Sequence, residues 1–202
     1  QFRNFGSAKP EGYRKALRLM KLAEKFDKPV ICFVDTPAAD CSVGAEERGI
    51  SEAIARNLME MSRLRTPIII VVLGEGGSGG ALGIGVGDKV LMLEHAVYSV
   101  IPPEGCAAIL FRDPSRKAEA AAALKLTSQH ALQFGVVDEV IPEPLGGAHR
   151  NVEAAAKTLK SAILRNTDEL LSFNKEELIE RRYQKLRSMG QFIVEEPQTS
   201  KE

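Results

Sequence analysis

The chain has 202 residues, with 27 basic against 27 acidic side chains and 44% hydrophobic residues. That length suits one globular domain and is too short for two large ones. The zero formal charge argues against bulk nucleic-acid binding, which rests on many unpaired Lys and Arg, and the longest apolar stretch, 67–73, is far shorter than a bilayer requires.

Cys32, Cys41 and Cys106 are widely spaced and form no CxxC, so neither a zinc site nor a redox pair is signalled and no metal is expected. Such cysteine usage fits a reducing compartment. No signal peptide is read at the start, and an opening Gln1 in place of Met points to a fragment or a processed form.

Residues 11–26 predict an amphipathic helix, with Tyr13, Ala16, Leu17, Met20 and Ala23 at helical spacing, ended by Lys28-Pro29. Val30 to Val34 is a continuous apolar run, expected to be a strand covered on both faces. Asp35-Thr36-Pro37 breaks it, and a loop runs to about Gly44. Residues 45–64 predict one helix and 68–73 a second buried strand. A glycine-rich segment follows, from Gly74 to Gly87. Residues 90–93 and 97–100 predict short strands, then helices over 103–111, 115–125 and 128–134. A last strand is expected at 136–141, with helices over 152–166 and 174–188 and a frayed polar tail from about residue 193. Alternating strands and helices imply an α/β domain with parallel strand pairs.

The glycine-rich segment holds eight glycines in fourteen residues, directly after a buried strand. Glycine permits sharp turns and close approach to main-chain N–H groups. Three readings compete. One is tight strand–helix packing without a ligand. Another is a dinucleotide site, because Gly74-x-Gly76-x-x-Gly79 has the spacing and Glu94 stands twenty residues on. About eight residues separate Gly80 from Val90, too few for a full crossover helix, and Gly87-Asp88-Lys89 lacks a P-loop ending. The third is an oxyanion hole, in which paired backbone amides at a short helix start stabilise a developing negative charge.

Further segments bring a family into view. Gly74 to Gly80, with Glu46-Glu47-Arg48-Gly49, Ser51 to Ala55, Pro103-Glu104-Gly105-Cys106-Ala107 and Ile141 to His149, closely resembles the bacterial-type carboxyltransferase alpha subunit of acetyl-CoA carboxylase. The resemblance runs from about Arg3 to Gly190, although members carry a further N-terminal region. It implies a crotonase-like α/β fold, a spiral of ββα units with C-terminal helices, as a single domain over 1–202. It implies transfer of a carboxyl group from carboxybiotin on a carrier protein to acetyl-CoA, giving malonyl-CoA. The partners implied are a carboxyltransferase beta subunit, a biotin carboxyl carrier protein and biotin carboxylase in the wider complex. The setting implied is cytoplasmic, or the plastid stroma in a photosynthetic eukaryote. By motif position, the amides of Gly79 and Gly80 fall on the oxyanion hole for the biotin ureido oxygen. Gly76, Gly77, Ala38 and Ala39 fall on the biotin-binding side.

One departure stands out. The family usually reads Asp-Thr-Pro-Gly-Ala-Tyr-Pro-Gly where this chain has Asp35-Thr36-Pro37-Ala38-Ala39-Asp40-Cys41-Ser42. A positive φ at Ala38 would strain the loop by about 1–2 kcal/mol. The altered loop motivates an alternative, a non-catalytic structural partner in a carboxyltransferase complex. A stand-alone acyl-CoA hydratase or isomerase would need a paired acid and base. Ser78, His95, His130 and His149 have no spacing of a triad, so Ser78 reads as structural. Glu46, Glu47, Arg48 and Glu104 read as helix-start or surface groups, His149 as a turn contact, and Arg14, Lys15, Arg18 and Lys21 as a solvated helix face.

Overall fold

The computed structural model describes residues 2–190. The tail expected to fray from residue 193 lies outside them. Helix α1 (Pro10–Lys25) opens with a proline, whose missing N–H is needless at the first helical position. It leads into β1 (Val30–Thr36). Two helices, α2 (Val43–Glu47) and α3 (Ile50–Met61), carry the chain to β2 (Ile68–Gly77), which runs directly into the short α4 (Ser78–Leu82). Then come β3 (Lys89–Leu93), β4 (Val97–Ser99), α5 (Pro103–Phe111), α6 (Lys117–Leu124) and α7 (Ser128–Gln133). Strand β5 (Glu139–Ile141) and the long helices α8 (Val152–Leu171) and α9 (Lys175–Ser188) complete the described chain.

All ladders between these strands are parallel. The main sheet has the order β1-β2-β3-β5, with Val30 opposite Ile68, Ile70 opposite Val90 and Met92 opposite Val140. Strand β2 outlasts its neighbours, and its last residues, Glu75 to Gly77, pair instead with β4. One long strand thus serves two sheet segments and delivers its end to the turn into α4. Ile68 to Val72 are buried, as continuous burial of a central parallel strand requires. Met61, Leu64, Leu91, Met92 and Ile141 pack around them.

Four expectations change. Strand β1 is an edge strand whose residues alternate between buried and open, with Phe33 53% exposed, so it is not covered on both faces. An apolar run alone does not distinguish an edge from a centre. The single helix over 45–64 is two helices, because Gly49 adopts φ +76 and turns the chain between them, while the Ser42 side chain accepts from the Ala45 N–H to start α2. The strand over 136–141 shortens to its last three residues, because the N–H groups of Val136 and Val137 both bond the Ala131 carbonyl at the end of α7. Finally, the helix expected over 152–166 continues to Leu171.

Helix α9 is tied back to the sheet by Arg182, whose side chain is wholly buried. It donates to Asp88 Oδ1 and Oδ2, both at 2.8 Å, to the carbonyls of Met61 and Leu64 at 2.8 Å, and to that of Thr66 at 3.0 Å. Asp88 Oδ2 also accepts from the Ile68 N–H at 2.7 Å. The loop between α3 and β2 and the start of β3 are thereby fixed relative to α9.

Candidate active site

The turn from β2 into α4 stores strain. Ser78 has φ +48, a left-handed conformation that costs a non-glycine residue about 1–2 kcal/mol. Strain at such a point is held only where the surroundings over-determine it. Here the surrounding is the loop after β1. A Cβ on Gly77 would lie 1.9 Å from the Pro37 carbonyl oxygen. One on Gly80 would lie 2.4 Å from the Ala38 carbonyl carbon and 2.5 Å from the Ala39 nitrogen. Main chain rests directly on main chain, an approach only glycine permits. Gly77, Gly80, Ala38 and Ala39, separated by about forty residues of sequence, therefore meet at one seam. Gly76 packs beneath Tyr98, whose Cδ2 a Cβ would approach to 2.6 Å. Gly79 is different, since a Cβ there would meet only Ile54 Cδ1 at 3.7 Å.

The loop on the other side of the seam holds no residue with positive φ. Ala38 is not among the residues with positive φ, so the expected penalty for replacing glycine there does not arise. Thr36 Oγ1 donates to the Ala38 carbonyl at 2.8 Å. Asp40 Oδ1 accepts from the Ser42 N–H at 2.9 Å, and the Asp40 N–H donates to the Ala8 carbonyl at 3.0 Å.

At α4 itself, the acceptors are engaged and the leading donors have no helical partner. The first-turn N–H groups of Ser78, Gly79 and Gly80 have no acceptor within the helix, and no side chain caps it. By contrast the Gly79 carbonyl accepts from the Gly83 N–H at 2.9 Å, the Gly80 carbonyl from the Tyr13 hydroxyl at 3.0 Å and the Gly83 carbonyl from Asn57 Nδ2 at 2.9 Å. Beside the turn lies a cleft of about 280 Å³, mostly apolar, lined by Glu75 to Ser78 and their ladder partners Val97 and Ser99, and by Pro37, Ile101, Pro102 and Glu104. Gly76 and Gly77 thus line the cleft, while Gly79 and Gly80 stand just beyond it. Gly80 also borders a smaller hollow with Tyr13 and Thr36.

The remaining candidates fall where simple packing and capping put them. None of the three histidines lines the cleft with Ser78. Glu104 sits in the first turn of α5. Its own backbone N–H and the ammonium of Lys117, 3.3 Å away, hold its carboxyl below the usual range, which suits an exposed carboxylate better than a general acid. Arg48 pairs with Glu11 at 2.7 Å, and Arg14 donates to the Arg48 carbonyl at 2.8 Å, fastening α1 to the α2–α3 corner. Lys21 pairs with Glu60 at 3.0 Å across the same two helices.

Two residues at this site escaped the sequence reading. Tyr13 counted only as one apolar position, yet its hydroxyl reaches α4. Asn57 was not singled out, although it interrupts the buried stripe Ile50, Ala53, Asn57, Met61 of α3. A polar side chain on such a stripe was the available signal.

Solved structures with similar folds place this architecture in a class. The chain superposes on transcarboxylase 12S, crystallised with methylmalonyl-coenzyme A and methylmalonic acid, with a TM-score of 0.63 and 25% identity over 77% of this chain and 32% of that one. It also superposes on a Pseudomonas malonate decarboxylase hetero-dimer with a TM-score of 0.73 and 16% identity, over 90% and 74% of the two chains. The fold is crotonase-like, of the carboxyltransferase kind. Within that class, the chain belongs to the acetyl co-enzyme A carboxylase carboxyltransferase-like family, whose pattern matches residues 1–190. It is 59% identical over 191 residues to the acetyl-coenzyme A carboxylase carboxyl transferase subunit alpha of Geobacter metallireducens, covering 95% of this chain and 60% of that protein. The same subunit of Fusobacterium nucleatum is also 59% identical over 191 residues, with 61% of its length covered. The chain therefore spans about 60% of the length of these relatives.

Proposed function

We propose that this chain forms the biotin-side half of a carboxyltransferase active site, in an alpha subunit that works only with a beta subunit of the same fold. The reaction is transfer of the carboxyl group from carboxybiotin on a carrier protein to acetyl-CoA, giving malonyl-CoA for fatty acid synthesis. A biotin carboxyl carrier protein delivers the donor, and biotin carboxylase belongs to the wider complex. The proposed setting is the cytoplasm, or the plastid stroma in a photosynthetic eukaryote. Among the described residues no helix is long and apolar enough to cross a membrane.

The observation that carries this reading is the seam between Gly77–Gly80 and Pro37–Ala39. It fixes a five-residue helix whose leading amides have no intrahelical acceptor and no side-chain cap. As the donor gives up its carboxyl group, negative charge grows on the ureido oxygen. The Gly79 and Gly80 N–H groups then serve as preorganised donors, each such donor being worth about 3–4 kcal/mol of barrier. Gly76 and Gly77 line the adjoining cleft, and Ala38 and Ala39 back the seam against Gly80, so both pairs act through main-chain packing. The first proton transfer is left to the substrate, since Glu104 is held ionised and no histidine lines the cleft.

The full-length alpha subunit, mixed with a beta subunit and a carboxybiotin-loaded carrier, is expected to form malonyl-CoA, while the alpha subunit alone forms none. A mixture that assembles but gives no product overturns this reading. The alternative of a non-catalytic structural partner was motivated by the altered 38–42 loop. The absence of a positive φ at Ala38 removes the expected strain there, and turnover of the assembled complex decides between the two readings.

A further inference from the structure

We infer that Tyr13 and Asn57 are positioning residues that set the pose of α4, and with it the aim of the Gly79 and Gly80 amides. This deepens the proposed function and rests on it for its catalytic consequence. A helix of five residues cannot hold its own geometry, because nucleating the first turn is unfavourable and there is almost no propagation to offset it. Its pose must come from outside. The seam supplies one side of the support. The other side is a clamp reaching in from α1 and α3.

The Tyr13 hydroxyl is the donor to the Gly80 carbonyl, and the ring lies where a Cβ on Gly83 would be only 2.6 Å from Tyr13 Cε1. Asn57 Nδ2 donates twice, to the Gly83 carbonyl at 2.9 Å and to the Tyr13 carbonyl at 3.2 Å. One amide group therefore joins all three helices. Its orientation is not arbitrary, since two carbonyl acceptors demand the NH₂ end. Both side chains grip carbonyls and so leave the leading N–H groups untouched. A device for holding α4 while keeping its donors free would use those atoms.

A second feature separates positioning from ordinary stabilisation. Asn57 is fully buried, and its Oδ1 has no hydrogen-bond partner. A buried acceptor left unmade costs stability, so Asn57 gives up on one side part of what its donations to carbonyls gain on the other. The two donations are thus kept despite a liability, the pattern expected where geometry matters more than stability.

The test uses the full-length alpha subunit in complex with its beta subunit, as wild type, Tyr13→Phe and Asn57→Leu. Tyr13→Phe keeps the ring against Gly83 and removes only the hydroxyl. Asn57→Leu removes both donations together with the unmade acceptor. Both variants are expected to lower kcat about tenfold or more with the KM for acetyl-CoA unchanged, as for loss of an interaction made only in the transition state. The melting temperature of Asn57→Leu is expected to change little, because the unmade acceptor it removes offsets the Gly83 carbonyl it unpairs. A kcat unchanged in both variants, or a kcat that falls only in step with melting temperature, overturns the inference.

A second measurement does not depend on turnover. Amide exchange at Gly83 and Gly85, whose N–H groups bond the Gly79 and Leu82 carbonyls, is expected to speed up about tenfold in Tyr13→Phe, with β2 and β3 unaffected. Unchanged exchange there also overturns the inference. A wild-type complex without product would instead count against the proposed reaction, and exchange would still judge the clamp.

Discussion

Two buried polar centres hold this chain together, and they are built on opposite principles. At Arg182 every hydrogen-bonding direction of the guanidinium is met by a carboxylate or a carbonyl, and Asp88 is met in return by Arg182 and the Ile68 amide. At α4 the pieces are main chain, a strained Ser78 and an Asn57 with an acceptor left over. The first centre is saturated and anchors architecture. The second leaves its leading amides without a helical partner or a side-chain cap and tolerates strain, as the proposed site requires. The difference separates two kinds of burial that composition alone would treat alike.

The sharpest break of this contrast is Arg182→Ala. It leaves Asp88 as an unpaired buried charge and strips donors from three carbonyls. Removing one partner of such a pair typically costs about 3–5 kcal/mol. Urea unfolding of the variant should show a loss of that size. A loss under about 1 kcal/mol, the scale of an exposed ion pair, would show that the centre does not anchor α9 to the sheet.

Next in size is Gly80→Ala. The added methyl would lie 2.4 Å from the Ala38 carbonyl carbon, so the seam must open. A shift of about 1 Å in catalytic groups can cost about a hundredfold in rate. Carboxyl transfer by the assembled complex should fall by about that factor, while assembly with the beta subunit persists. Retained turnover would mean that the amides do not act where the proposed function puts them.

These two centres were unequally legible in the sequence. The glycine cluster stood out, because Gly76, Gly77, Gly79 and Gly80 follow an apolar strand, but its spacing left packing, a dinucleotide site and an oxyanion hole as rival readings until the family resemblance chose among them. What the glycines approach was not visible from their spacing, since Pro37 to Ala39 lie forty residues away. Arg182 was invisible for the same reason made stronger, as its partner Asp88 is 94 positions off and sits in a segment weighed only as a failed phosphate loop. Phe33 misled because a run of five apolar residues reads alike at a sheet's edge or centre. The break at Gly49 was masked by good helical spacing on either side of it. Asn57 alone left a readable trace, a polar residue on an apolar stripe.

A smaller effect sharpens the contrast through pH. Burial raises the Tyr13 phenol from 10.0 to about 12 and the Cys32 thiol from 9.0 to about 12. Both groups hold their proton more tightly folded than unfolded. The stability they contribute is therefore complete below pH 9 and is lost as pH rises from 9 towards 12. Thermal melts across that range should show a falling melting temperature, with a shallower fall between pH 10 and 12 in Tyr13→Phe. An identical profile in that variant would mean that the phenol does not stay buried against α4.

The smallest expected change is at Gly79, and it tests the site from inside. Its backbone has no positive φ, and a Cβ would meet only Ile54 Cδ1 at 3.7 Å. Alanine keeps the N–H and favours helix over glycine by up to about 1 kcal/mol. Gly79→Ala should therefore fold at least as well as the wild type, and its turnover should fall less than that of Gly80→Ala. Both substitutions are nominally alike, so unequal losses would come from the seam, which only Gly80 enters. Equal losses would instead show that some group of the carrier or beta subunit closes against Gly79, and the open space above it would then be part of the binding surface rather than spare room.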